Sequence, residues 1–116
     1  MEMQVAQDDA NQITLMILNG RLDVEGVQAI EKEFQGQVEA CNRPVLLNLE
    51  HVTFMGSLGI RLLLGAAKTL QQRSLRAVLL NPPPLVEDTW YSAGLAEIVP
   101  VEHELAGALA LCRETA

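Results

Sequence analysis

Few side chains of this 116-residue sequence stand in patterns that chemistry requires. Neither His51 nor His103 has a second imidazole one helical turn away, the spacing that lets two rings share a metal. Cys41 and Cys112 form no Cys-x-x-Cys pair, so neither a zinc site nor a disulfide framework is supported, and buried thiols are expected. The carboxylates fall mostly on exposed helix faces or in loops, where solvation explains them better than acid/base work. No nucleophile elbow, Walker loop, dinucleotide fingerprint or His-Glu-x-x-His occurs. The sequence thus implies no catalytic residue, no metal and no cofactor; the expectation is a protein that is not an enzyme. Two short polar side chains stand out instead. Asp23 and Ser57 each precede an apolar periodic segment, where a side-chain oxygen can accept the free N–H groups of a first helical turn and stabilise it by about 1 kcal/mol.

The elements that must hold these residues alternate in type. Ile13, Leu15 and Ile17 share one face of a strand over Ile13 to Asn19, which Gly20 ends. A weaker strand near Met3 to Ala6 pairs with it through the turn-type residues Gln7 to Asn11. After Asp23, Val27, Ile30, Phe34 and Val38 form one helical stripe that runs out near Cys41-Asn42. Val45 to Leu49 reads as an interior strand, and a link from His51 to Gly56 leads to a helix from Ser57 to about Gln72. Its buried side is expected to hold Ile60, Leu63, Leu64, Ala67 and Leu70, with Gly59 and Gly65 allowing close approach to a neighbour.

A strand over Leu75 to Leu80 follows, then prolines 82–84 and a short helix from about Leu85 to Ala93 with Gly94 as its C-terminal cap. A strand near Glu97 to Val99 and a helix from Glu102 to about Arg113, aligned on Leu105, Leu109 and Cys112, complete the chain. The order is β-β-α-β-α-β-α-β-α, an α/β domain with a mixed sheet of four or five strands and about four helices. One domain over residues 1–116 is expected from the length.

A net charge of −7 with only 8 basic residues argues against nucleic acid, whose binding draws on Lys and Arg neutralising phosphates. It equally disfavours anionic membrane surfaces and points to a protein partner with a basic patch. The N-terminus carries Glu2, Asp8 and Asp9 and lacks the basic start and apolar stretch of a secretory signal, and no apolar run approaches the roughly 20 residues that span a bilayer. A cytoplasmic protein, monomeric or weakly dimeric, is the expectation.

Three segments carry a family resemblance. Asn48 to Arg61 contains Val52-Thr53-Phe54-Met55 and then Gly56-Ser57-Leu58-Gly59-Ile60, which resembles the Val-x-Phe-like link and Asp-Ser-Ser-Gly-Leu-like motif of STAS domains. Gly20-Arg21-Leu22-Asp23 looks like the family's Gly-x-Leu-Asp step, and Ala93-Gly94-Leu95 like its Thr-Gly-Leu. In order, these matches cover nearly the whole chain. Gly56 stands where the family has Asp, and Leu58 where it has the second serine.

The resemblance is to bacterial anti-sigma factor antagonists, and it implies a STAS-like fold and a regulatory binding module. Its implied partner is an anti-sigma factor or serine kinase, with a phosphatase reversing the modification. In that branch the first serine of the motif is phosphorylated, a position matched by Ser57. The implied partner-binding residues are Asp23, Gly56, Ser57, Leu58, Gly59 and Arg61. A phosphate on Ser57 adds about −1.5 to −2 charge at the positive end of a helix, which the fold tolerates and an interface built for a neutral hydroxyl does not. The alternative is a stand-alone STAS scaffold or accessory subunit of a transporter, such as a lipid ABC system, with Ser57 as helix cap and docking contact only. Trp90-Tyr91 is expected to fill core rather than anchor a second partner.

Overall fold

The computed structural model describes residues 1–114. Five strands, β1 (Glu2–Asp8), β2 (Ile13–Leu22), β3 (Val45–Met55), β4 (Ala77–Leu80) and β5 (Val101–Glu102), lie side by side in sequence order. The β1–β2 pair is antiparallel and every later pair is parallel. The parallel connections run through α1 (Val24–Ala40), α2 (Ser57–Gln71) and α3 (Pro84–Ser92), and α4 (Leu105–Cys112) follows β5. The expected α/β fold with a mixed sheet and four helices is the one observed.

Period-two side chains divide the sheet's two faces. Met16, Leu18, Leu47, Leu49 and Leu79 join the stripe Val27, Ile30, Phe34 and Val38 of α1 and Leu62, Leu63, Ala66 and Leu70 of α2 in the larger core. On the opposite face, Ile13, Leu46 and Val78 meet Ala108 and Cys112 of α4. The α1 stripe is as expected, whereas the β2 residues facing the main core are Met16 and Leu18, not Leu15 and Ile17. Both sets are apolar because each face is at least partly covered. On α2 the buried set is shifted similarly: Leu62 and Ala66 are buried, while Ile60 and Leu64 are half-buried.

Two strands run further than periodicity implies. β2 continues through Gly20 to Leu22, and β3 continues through His51 to Met55, so most of the expected loop before Ser57 is strand. The extension pairs Asn19, Gly20, Arg21 and Leu22 with His51, Val52, Phe54 and Met55, with register shifts on either side of Asn19–Gly20. Gly20 takes φ +123° at this irregularity, a conformation that glycine alone adopts freely. Farther on, Leu95–Glu97 is a 3₁₀ turn and the last strand is Val101–Glu102, displacing the strand expected at Glu97 to Val99. Gly94 ends α3 at φ +73°, its N–H donating to the Tyr91 carbonyl.

The α4 stripe is Ala108 and Cys112, with Leu105 exposed. Burial pushes the Cys112 thiol up to about 11, so it stays protonated and packs as an apolar group at neutral pH. Cys41 is buried too, as expected. Trp90 is fully buried with its indole N–H donating to the Val99 carbonyl at 3.0 Å, but Tyr91 is exposed, so only the first of the aromatic pair is core. No helix of the described residues is long and apolar enough to cross a membrane.

Candidate functional site

The extended ends of β2 and β3 deliver the starts of α1 and α2 to the same edge of the sheet. At the start of α1, Asp23 (φ −98°, ψ −171°) is the cap: its Oδ1 accepts the Gly26 N–H at 2.8 Å and its carbonyl accepts the Val27 N–H at 2.9 Å. That bond to Gly26, with Arg21 beside it, holds the Asp23 carboxyl below the usual carboxylate range. A Cβ on Gly26 would stand 1.8 Å from the Arg21 carbonyl oxygen, so the cap requires glycine there.

At the start of α2 the capping residue is Gly56, not Ser57. Gly56 has nearly the same backbone as Asp23 (φ −95°, ψ −176°), and its carbonyl accepts the Ile60 N–H at 3.1 Å. Ser57 is the first helical residue, and no side chain caps α2. The expectation that Ser57 caps this helix is therefore corrected. The cause is a tertiary bond: the Gly56 N–H donates to the Leu22 carbonyl at 3.0 Å, which fixes the chain one residue ahead of the serine. Ser57 is exposed, and α2's first turn holds no acidic residue, whereas α1's holds Glu25.

The other residues singled out by sequence gather around Leu22, which is fully buried. Gly59 packs on it so closely that a Cβ would stand 2.8 Å from Leu22 Cβ and 3.0 Å from its carbonyl oxygen. Gly65, expected to act like Gly59, has no neighbour within 4 Å of its would-be Cβ and permits no close approach. Leu58 is half-buried against the core, and Arg61 is exposed one turn beyond Ser57. Leu58 and Arg61 line a groove of about 350 Å³ between α1 and α2, with Glu31 and Gln35 on its other wall.

Two residues of this edge are not singled out by sequence. The Arg21 guanidinium lies 4.5 Å from the centre of the Phe54 ring, a cation–π geometry, and its Nε donates to Asp23 Oδ2 at 3.2 Å. Phe54 in turn lies against Gly56, whose Cβ would stand 3.2 Å from the ring. Arg21 is the variable position of the Gly-x-Leu-Asp step and Phe54 belongs to the Val-x-Phe link, so both sit inside recognisable motifs; their contact depends on a strand pairing that no motif displays.

Residues 3–108 match the STAS domain family. An anti-sigma F factor antagonist of Lysinibacillus sphaericus is 35% identical over 83 residues, covering 67% of this chain and 68% of that protein. An anti-sigma factor antagonist from Mycobacterium paratuberculosis superposes with a TM-score of 0.85 at 20% identity, over 97% of this chain and 94% of that one. The Bacillus cell fate determinant SpoIIAA in its phosphorylated form superposes with a TM-score of 0.69 at 23% identity, over 95% and 99%. With the sheet order, the paired helix starts and these likenesses in agreement, the chain belongs to the STAS domain family.

Proposed function

We propose that this chain is a regulatory binding module of the anti-sigma factor antagonist type, which binds an anti-sigma factor or serine kinase in the cytoplasm and is switched by phosphorylation at Ser57. The observation that carries this reading is the exposed Ser57 at the start of α2, outside any capping bond, on a turn without carboxylates. Its hydroxyl has no role in holding the helix and is accessible to a partner. The likeness to an anti-sigma F factor antagonist, and to a neighbour known in phosphorylated form, supports the same reading.

In the proposed cycle a partner kinase brings ATP to this edge. Ser57 Oγ bonds to the γ-phosphorus, the bond to ADP breaks, and the hydroxyl proton passes to a base of the kinase; a phosphatase later hydrolyses the phosphoester with water, restoring the hydroxyl and releasing inorganic phosphate. Asp23, Gly56, Ser57, Leu58, Gly59 and Arg61 form the docking surface. Asp23 shapes the neighbouring loop, Gly56 and Gly59 keep the start of α2 close to Leu22, and Leu58 and Arg61 supply apolar and cationic contacts. The phosphorylated surface brings a dianion to an interface suited to a neutral hydroxyl, so the partner is released.

The test is binding of Ser57→Ala and Ser57→Asp to a candidate anti-sigma factor serine kinase. Ser57→Ala should bind like the parent and Ser57→Asp poorly, both being folded. Equal affinity of the two variants would sink the switch. It would leave an unswitched docking module, the alternative being a transporter accessory subunit, which Gly56 in place of the family's Asp keeps open, with Ser57 then serving as a docking contact and not as a cap.

A further inference from the structure

The two arginines at this edge are held differently. Arg21 is fixed by its ring contact with Phe54 and by one bond, from Nε, to Asp23. Its two terminal amino groups are left out of that ion pair, and its side chain is 60% exposed. The Phe54 ring that Arg21 packs on also packs against Gly56, the residue preceding Ser57. Arg61 joins none of the ion pairs among the described residues. It follows Ser57 by four residues, the spacing that puts two side chains side by side on a helix, and helical side chains lean toward the N-terminus, here toward Ser57. Neither arginine is needed to fill the core.

Resting on the reading of Ser57 as a phosphorylation site, we propose that Arg21 and Arg61 form a clamp that receives the phosphate from two sides, Arg21 across the start of α2 and Arg61 from one turn along it. Guanidinium groups suit this role because their planar forks make paired, charge-assisted bonds to phosphate oxygens. The exposed single bond to Asp23 is a weak competitor for a dianion. Gly56 matters here as well: an aspartate at that place would set a carboxylate beside the phosphate. Regulation then has two parts. The phosphate adds negative charge to the surface, and it withdraws from the partner the two cations which that surface offered before modification.

The experiment uses full-length protein carrying phosphoserine at position 57, introduced during translation, so that the clamp is tested whether or not any kinase modifies this serine. Phosphorus NMR follows the second ionisation of the phosphate, ordinarily near pH 6. In the parent it should fall by about half a unit or more relative to the same protein in urea. R21Q and R61Q should each restore part of the shift, and the double variant most of it. K68Q, about 16 Å along the helix from Ser57 at 1.5 Å per residue, should restore none. R21K and R61K, which keep charge but lose the fork, should fall between. The same ionisation midpoint in parent, R21Q, R61Q and the double variant would overturn the clamp, because the helix end alone would then account for any shift. If the midpoint moves as expected but phosphorylated and unmodified protein bind the kinase equally, the clamp stands and the switch fails.

Discussion

The N-terminal ends of α1 and α2 have almost the same backbone and opposite chemistry. Asp23 and Gly56 differ by only a few degrees in φ and ψ, and each accepts the first helical bond through its carbonyl. At α1 a carboxylate accepts the Gly26 N–H of the first turn; at α2 no side chain caps the helix. A helix start capped by glycine instead of aspartate forgoes only a few tenths of a kcal/mol, about as little as any uncapped start can. The start of α1 is thus tied down by its own side chain, while on the proposed reading that of α2 keeps its positive end open for a phosphate on Ser57.

Gly26→Ala should break the comparison most severely. Its Cβ cannot fit 1.8 Å from the Arg21 carbonyl oxygen, so the loop that holds Arg21 and Asp23 must move, at a cost of about 3 kcal/mol in urea unfolding. An unchanged midpoint would mean that this loop is free to shift.

Asp23→Ala comes next and should lower the thermal midpoint at neutral pH. The folded Asp23 carboxyl titrates below its ordinary value of 3.8, chiefly because it accepts the Gly26 N–H. Its contribution is therefore complete above that value and is lost as pH falls through the folded value. Melting curves of variant and parent should differ by a constant amount at mildly acidic and neutral pH and converge in strong acid. A gap that persists in acid would refute the carboxylate as the cause.

Gly56→Asp would give α2 the cap that α1 already has. The gain of a few tenths of a kcal/mol is reduced by the Phe54 ring, which must yield a few tenths of an ångström, so a net stabilisation of at most about 0.5 kcal/mol is expected from chemical denaturation. Destabilisation would show that the ring cannot yield. The smallest effect is that of Ser57→Ala, which should change stability by less than about 0.5 kcal/mol, since no capping bond is lost. A loss of 1 kcal/mol or more in the same assay would restore the serine as a cap.

The difference between these helix starts also shows what a sequence can reveal. The Asp23 cap and the Val27, Ile30, Phe34 and Val38 stripe are local and periodic, and they appear in the structure as read. The extension of β3 through His51 to Met55 is hidden, because Glu50, His51 and Thr53 look like a loop and their pairing partners lie far away in sequence, across irregular register. Residue type alone makes Ser57 a cap. The bond from Gly56 to Leu22, made between residues distant in sequence, decides otherwise. Arg21 escapes notice for the same reason: its partner Phe54 becomes a neighbour only once β2 and β3 are aligned.

Leu22 is the point where the two helix starts meet, accepting the Gly56 N–H, supporting Gly59 and preceding Asp23 while fully buried itself. On the proposed reading, a docking surface stitched to one fully buried residue need not become ordered when a partner arrives, so little conformational freedom is surrendered on docking. Encounters with such a surface proceed at the ordinary pace of orientation-limited association, about 10⁵–10⁷ M⁻¹s⁻¹, and differences among related partners are then expressed mainly as the lifetime of the complex.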